Sequence, residues 1–459
     1  MTDAHFASLP GTRKIRLTEA FAFRPATVFV VALLLRLVLI FVLQTYQFDS
    51  KSDYGYEYTR IAQWIVSGEG FSSPYFDTPR PSAVMAPAYV YLVAFIFSIF
   101  GIYTAASAVA IEVLQSIFAA LTCLIMYRLG TKMFNDKVGL VAAFALAFYP
   151  PSVFFSIMRL GATTLIVLLL ALIVYYLLNI SETQSYRLAA VCGFLMGFSA
   201  LVEPVLLSFF VFACVWLLCV SPQPRMATAK ALGIMVGLSI VCVLPWTIRT
   251  YALFGKVVPI KSNLGLNLLL GNNPYGNGVM EYTSAFYSVE EKIRQDQDNS
   301  AGPQGTAVEK PFLGSDILTA EERQKRRQLD EIEFNELMLR KAIDFIKNHP
   351  GQFLEFTLRR IFAFWSPANP YRSTTYDVLR GLVYGLCLVL ASLGVVLVRT
   401  QRKETSLLLI LFLSYPLLYY ITHISYYRYR YPVEPFLILL SSYAVVEAVK
   451  MARSHALVR

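Results

Sequence analysis

Charge is what this chain has least of. Only 15% of its 459 residues are Asp, Glu, Lys or Arg, while 56% are hydrophobic. Water-soluble domains carry about a quarter charged residues, so there is too little charge here to cover a surface in water. Chemical motifs are missing too. The chain has no Gly-rich phosphate loop, no His-Glu-x-x-His and no cysteine pairs at metal-ligand spacing, so no metal or cofactor is expected. Its six cysteines, Cys123, Cys192, Cys214, Cys219, Cys242 and Cys387, fall inside apolar runs and read as small buried hydrophobes. No hydrophilic segment is long enough for a Rossmann domain, which excludes a nucleotide-sugar enzyme built on one. No internal repeat is visible, so the inverted halves of many transporters are not evident.

What the chain has instead is apolar runs of membrane length. Ala26–Gln44 is apolar apart from Arg36, and Gly161–Ile180, Val205–Val220, Ala231–Trp246, Gly381–Val398, Ser406–Ile421 and Pro435–Val446 follow. A helix needs about 20 residues to cross hydrocarbon. The fold class expected is therefore an all-α polytopic membrane protein. Its net charge of +10 does not indicate nucleic acid, because the basic residues sit in short loops between the runs.

Those loops give an orientation. Arg13, Lys14, Arg16 and Arg24 precede the first span, which puts the N-terminus in the cytoplasm. Met1–Pro25 precedes a run too long for a signal peptide and is expected to stay attached to it. Arg128–Lys137, Arg187, Arg225–Lys230, Arg399–Lys403 and Lys450–Arg459 become cytoplasmic if there are ten spans: roughly 26–46, 105–130, 138–157, 161–180, 187–202, 204–220, 230–249, 378–398, 405–422 and 432–449. Pro87–Phe100 would extend only about 21 Å as a helix and is assigned to the outer boundary as a juxtamembrane or re-entrant helix. The chain divides into a transmembrane module, 1–250, with a first outer loop 47–103, an outer region 251–376, and C-terminal helices 377–459. Within the outer region Glu290–Leu339 is highly charged, and Glu309–Arg327 reads as a poorly ordered or lid-like stretch. Phe334–Phe364 has the helical periodicity of elements lying on the outer surface.

Polar residues at apolar boundaries collect on that outer side. Asp53 and Glu57 stand four apart at the start of the first outer loop, on one face of a helix beginning there. Asp53 either caps that helix or adds a second carboxylate, whereas Glu57 lies too far inside to cap. A carboxylate held there, flanked by Tyr56 and Tyr58, suits a general base. Arg159 ends the third span, Glu203 sits in the Val202-Glu203-Pro204 hinge, and Arg249 ends the seventh span. His423, Arg428, Arg430 and Glu434 lie between the last two. An ionisable residue costs roughly 2.5–3.5 kcal/mol at the centre of a spanning helix, so partners or function keep it near hydrocarbon. Snorkelling accounts for some of the arginines but not for Glu203, which has no long stem. Guanidinium forks suit a phosphate on a lipid. Asn272 and Asn273 either bind sugar hydroxyls or serve a turn. Arg36, inside the first span, is expected to pair with another helix.

Five stretches together resemble a known family. They are the acidic loop start with Arg60-Ile61-Ala62 and Gly68–Pro74; Ala86-Pro87-Ala88-Tyr89 with Ile99-Phe100-Gly101; Pro245–Tyr251 with Phe254-Gly255; Gly271-Asn272-Asn273-Pro274; and Arg428–Pro435. Their order is similar to that in GT-C-fold glycosyltransferases of the family-39 and aminoarabinose-transferase kind. The resemblance implies a polyprenyl-phosphate-linked sugar donor in the bilayer, an acceptor of unspecified class, and an acid of the first outer loop as base. That role falls on Glu57 or Asp53, and the Gly-x-Glu-x-x-Arg-Ile-Ala spacing favours Glu57. The family's adjacent acid pair is spread out here, and Gly161-Ala162-Thr163 replaces the second acid of some relatives. Arg249, Arg428 and Arg430 would hold the phosphate, within a set that includes Arg159, Glu203, Asn272, Asn273 and Tyr58. The expected place is a bacterial plasma membrane, with both termini cytoplasmic. A flippase of lipid-linked saccharides and an outer-face oligosaccharide ligase are the rivals.

Overall fold

The computed structural model describes residues 25–47, 55–76, 78–183, 185–222, 224–274, 276, 278–279, 329–367, 375–398, 402–422 and 426–458. These residues are almost entirely helical, and the β-pairing among them is a bridge between Ser72 and Pro81. Asp53, His423 and the charged stretch 309–327 lie outside the described residues.

The helices are α1 (Pro25–Leu43), α2 (Tyr56–Val66), α3 (Pro87–Phe100), α4 (Ala105–Met133), α5 (Asp136–Ala147), α6 (Pro150–Ile157), α7 (Thr163–Thr183), α8 (Tyr186–Ala200), α9 (Leu206–Val220) and α10 (Arg225–Phe254). After them come α11 (Leu264–Gly271), α12 (Glu331–Asn348), α13 (Pro350–Trp365), α14 (Thr375–Leu397), α15 (Arg402–Ser414), α16 (Leu417–Ile421), α17 (Tyr426–Arg430) and α18 (Glu434–Val458). Among the described residues, seven helical segments are long and apolar enough to cross a membrane, and the bent pair α5–α6 makes an eighth. Three shorter apolar helices remain, α3, α8 and α9. Lipid-facing stripes confirm the solvent. Val30, Leu34, Val38 and Phe41 on α1, and Val378, Leu382, Leu386 and Val389 on α14, are each more than 45% exposed. Water would not tolerate apolar stripes of this length. Among the cysteines, Cys219 departs from the expected burial: it is exposed near the end of α9.

The expected third span is two helices, not one. Pro150 and Pro151 cannot donate to the helical ladder, and the axis bends by 51° there. Arg36 closes the break. Fully buried, it donates to the carbonyl of Ala147 at 3.3 Å, where α5 stops, and to the hydroxyls of Ser152 at 2.8 Å and Ser156 at 3.1 Å. A charge inside the bundle is thus matched by orphaned acceptors of a broken helix, the interhelical pairing its sequence position suggested.

Two polar ends are distinguishable. At one, Lys132 meets Glu182 at 2.6 Å and Lys403 donates to the carbonyl of Ser181. At the other, Gln115 of α4 donates to the carbonyls of Ser156 and Arg159. Gln115 and Lys132 lie on the same helix, which separates the ends by about 25 Å at 1.5 Å per residue, close to the thickness of hydrocarbon.

Candidate active site

The site starts from a glycine. Gly55 caps α2 in the left-handed conformation, φ 73° and ψ 53°, where side chains are strained. A Cβ there would also lie 2.4 Å from the carbonyl oxygen of Leu160. Only glycine meets both conditions, so α2 begins in contact with the α6–α7 connection that carries Arg159. Gln115 pins that connection from below, because its amide oxygen also accepts from Gly161 N at 2.9 Å and from Tyr89 at 2.7 Å. Gly55→Ala is expected to lower the melting temperature by several degrees and the activity of the site by about tenfold, since strain and clash together exceed 1–2 kcal/mol. A variant with wild-type melting and activity would show that this approach is not what seats α2.

Glu57 is the second residue of α2, in its first turn. One carboxylate oxygen accepts from the Tyr75 hydroxyl at 2.5 Å, and the other carries no bond to the described residues. Next to it, the Tyr58 hydroxyl accepts from Arg428 Nη2 at 3.2 Å, joining positions 370 residues apart. Burial holds the Tyr58 phenol well above its ordinary range, opposed by the charge of Arg428, so it stays a neutral hydroxyl. Arg428 lies within electrostatic reach of Glu57 and Glu203, and Arg159 within reach of Tyr429. Tyr429 stacks on Tyr419 with centroids 4.2 Å apart and planes within 5°, and Tyr415 meets Tyr419 edge-on. Glu203 faces Lys261, 3.7 Å away. Glu57, Tyr58, Arg159, Glu203 and Arg428 therefore converge at one end of the bundle, from four separate segments.

Other residues singled out from the sequence are engaged elsewhere. Arg249 donates to the carbonyls of Ser82 at 3.0 Å and Phe71 at 3.1 Å and lies over the ring of Trp246, so it clamps the first outer loop to α10. Arg430 is fully buried and bound by Glu434 at 2.8 Å and by the carbonyls of Phe364 and Ser366. Arg428 and Arg430 look equivalent in sequence. Residues two apart on a helix project to opposite sides, and that is what parts them. Asn272 donates to the carbonyls of Leu268 and Ile421 and accepts from Arg360 Nη2 at 2.9 Å, and Asn273 donates to Leu269 and Leu270. Both asparagines thus serve the turn after α11. There Gly271 lets Arg360 and the carbonyl of Thr422 approach; a Cβ would lie 1.5 Å from that oxygen.

Sequence reading missed Tyr75, Lys261, Glu331 and Arg360. Glu331 opens α12 and is held by the hydroxyls of Ser82 and Ser262 and by Ala83 N, at 2.7 Å for the last. Burial raises its carboxyl above the usual range, and those donors pull it back. Burial lowers the Arg360 guanidinium to about 10. Lys261 carried a usable signal: it ends the apolar stretch Val257-Val258-Pro259-Ile260, a charge at a hydrophobic boundary just as Glu203 is. A cavity of about 400 Å³ between the first outer loop, the end of α10 and α12 is lined by Tyr75, Phe76, Arg80, Phe254, Asp330 and Phe334. It shares Tyr75 with the Glu57 carboxylate.

A helical bundle with seven or eight candidate spans among the described residues, and with its polar cluster at one end, has the GT-C fold. The sequence profile of the dolichyl-phosphate-mannose-protein mannosyltransferases matches residues 81–248. No curated protein sequence matches. Among solved structures, the Archaeoglobus fulgidus oligosaccharyltransferase in its apo form superposes with a TM-score of 0.55 at 16% identity, covering 95% of this chain and 52% of that one. The oligosaccharyltransferase AglB of the same organism, in complex with an inhibitory peptide and a dolichol-phosphate, gives 0.52 at 16% identity, covering 95% and 51%. The chain therefore spans about half the length of the oligosaccharyltransferases it resembles. ArnT from Cupriavidus metallidurans bound to undecaprenyl phosphate covers 91% of this chain and 77% of its own at 11% identity, but its TM-score of 0.39 is too loose to argue from.

Proposed function

We propose that the protein is a membrane glycosyltransferase that moves a sugar from a polyprenyl-phosphate donor to an acceptor at the outer face of a bacterial plasma membrane. The observation that carries this reading is the bond from Arg428 to the Tyr58 hydroxyl, which joins the two ends of the chain and leaves Arg428 within electrostatic reach of Glu57. A base and a phosphate ligand in one place are what glycosyl transfer from a lipid phosphate needs. Glu57, or Asp53, takes the proton of an acceptor hydroxyl or amine. The freed nucleophile attacks the anomeric carbon as the bond from that carbon to the phosphate oxygen breaks, and polyprenyl phosphate leaves with the added negative charge. Attack opposite the leaving group inverts the anomeric centre. Arg428 stabilises the departing phosphate, with Arg159 close by. Arg249 and Arg430 act at a distance, by holding the first outer loop and the start of α18 in place, and Asn272 and Asn273 hold the turn after α11.

In this reading ten spans place residues 1–250, 251–376 and 377–459 as a transmembrane module, an outer region and a closing set of helices. The end that carries Lys132 and Lys403 faces the cytoplasm, as its basic character favours, and both termini lie there. The likeness to oligosaccharyltransferases supports one alternative, a ligase that uses a diphosphate-linked saccharide. The test is incubation of purified protein in detergent with a labelled polyprenyl-phosphate sugar. Release of free polyprenyl phosphate supports the transferase, whereas turnover confined to a diphosphate donor would replace it with the ligase. Intact donor under all conditions would leave a transporter.

A further inference from the structure

Lys261 differs from the other cations near the site in how it is held. Its backbone is fixed on both sides. Trp246 Nε1 donates to the carbonyl of Ile260 at 2.7 Å, Thr250 to that of Val258 at 2.7 Å, Thr247 to that of Pro259 at 3.0 Å, and Ser262 N to that of Ala83 at 2.9 Å. Its ammonium, by contrast, has one described partner, the Glu203 carboxylate, at 3.7 Å. Charge-assisted N–H···O bonds close to about 2.7–2.9 Å, so this pair is loose. Both side chains are nonetheless mostly covered, 17% exposed for Lys261 and 14% for Glu203.

The arginines nearby are in the opposite condition. Arg249, Arg360 and Arg430 each direct their guanidinium at carbonyls or at Glu434. Arg428 makes one bond to the described residues, to the Tyr58 hydroxyl. Glu203 is paired with Lys261 and within electrostatic reach of the second loosely held cation, Arg428, and of Tyr58, Tyr415 and Tyr429. An anion that answers two under-engaged cations in a covered place near tyrosines occupies a seat that a phosphate monoanion would fit.

We propose that Lys261 is a ligand of the donor's lipid phosphate, and that Glu203 holds its place in the empty site and is displaced when the donor enters. The assignment rests on the lipid-phosphate donor reading given above. The flexible four-carbon stem of lysine allows the ammonium to change partners while its backbone stays put. Rigid anchorage with a loose head distinguishes such a ligand from a structural ion pair, in which both charges are drawn to contact. The two partners then have opposite effects on phosphate affinity. Lys261 adds attraction for the phosphate, and Glu203 competes with it.

The experiment is titration of the purified full-length protein in detergent with undecaprenyl phosphate, with undecaprenol, dodecyl phosphate and inorganic phosphate in parallel. Lys261→Ala is expected to weaken undecaprenyl phosphate binding by about tenfold or more, Lys261→Arg to retain most of it, and Glu203→Gln to tighten it by about threefold or more, in line with a single charge contact in a covered site. Binding of undecaprenol should not change. Dodecyl phosphate should follow undecaprenyl phosphate, and inorganic phosphate should follow it only if the headgroup alone suffices for binding. Melting curves identify any variant that has lost its fold, and Lys261→Arg and Glu203→Gln keep the site filled if the alanine does not. Equal weakening by Lys261→Ala and Glu203→Gln would make the pair structural and overturn the assignment. So would wild-type affinity in Lys261→Ala. A wild-type protein that binds undecaprenyl phosphate no better than undecaprenol would overturn the donor reading itself, and Lys261 with it.

Discussion

Glu57→Gln is expected to reduce sugar transfer by about 10³-fold while the protein keeps its fold and its affinity for lipid phosphate, because positioned proton transfer contributes roughly 10²–10⁴-fold. Glutamine has the same shape, and its carbonyl oxygen can still accept from Tyr75, whose hydroxyl reaches Glu57 at 2.5 Å. What it lacks is a basic oxygen. The bonded oxygen of Glu57 orients the group, and the other, unbonded to the described residues, is where an acceptor proton would go. Asp53→Asn is the necessary companion, because both acids stand at the start of the first outer loop. If Asp53→Asn carries the loss and Glu57→Gln does not, the base is Asp53 and the mechanism survives. Full transfer in both amide variants removes it. Initial rates with a saturating labelled donor, beside a melting curve, decide the matter.

Arg428→Ala is expected to lower transfer by about 10²–10³-fold, the usual effect of deleting one donor aimed at a charge that grows in the transition state. The change should fall mainly on turnover and less on donor affinity, since the second negative charge on the phosphate appears only as the glycosidic bond breaks. Lys261 is expected to show the reverse emphasis, acting on binding. Arg428→Lys should recover only part of the loss, because an ammonium cannot serve the Tyr58 hydroxyl and a phosphate with a planar fork. Single-turnover rates against donor concentration separate the two. A loss confined to donor affinity, with turnover intact, would reassign Arg428 to ground-state binding.

These expectations rest on residues of unequal visibility. Glu57 and Arg428 were readable because charge at the edge of an apolar run is costly and therefore informative. Gly55 was readable as part of a motif, yet its reason, a left-handed cap against Leu160, appears only with the neighbouring connection in place. Arg249 and Arg430 gave the same signal as Arg428, and the fold gave each a different partner. Asn272 and Asn273 kept both readings open until Arg360, 88 residues further on, was seen bonded to Asn272. The Glu203–Lys261 pair joins two loops with no periodicity between them, so no pattern along the chain could have matched them.

Sequence alone determined the solvent and the class. Long uncharged runs can be satisfied only by helices in lipid, and the spacing of basic loops orders those helices, because both facts are local and follow from the cost of exposing polar backbone or charge to hydrocarbon. Tertiary structure decided which charges face one another. A guanidinium is equally suited to a phosphate, a carboxylate or a pair of carbonyls, and only the packing of distant helices, such as α2 against the α6–α7 connection and α17 beside Tyr58, determines which acceptor lies within its reach.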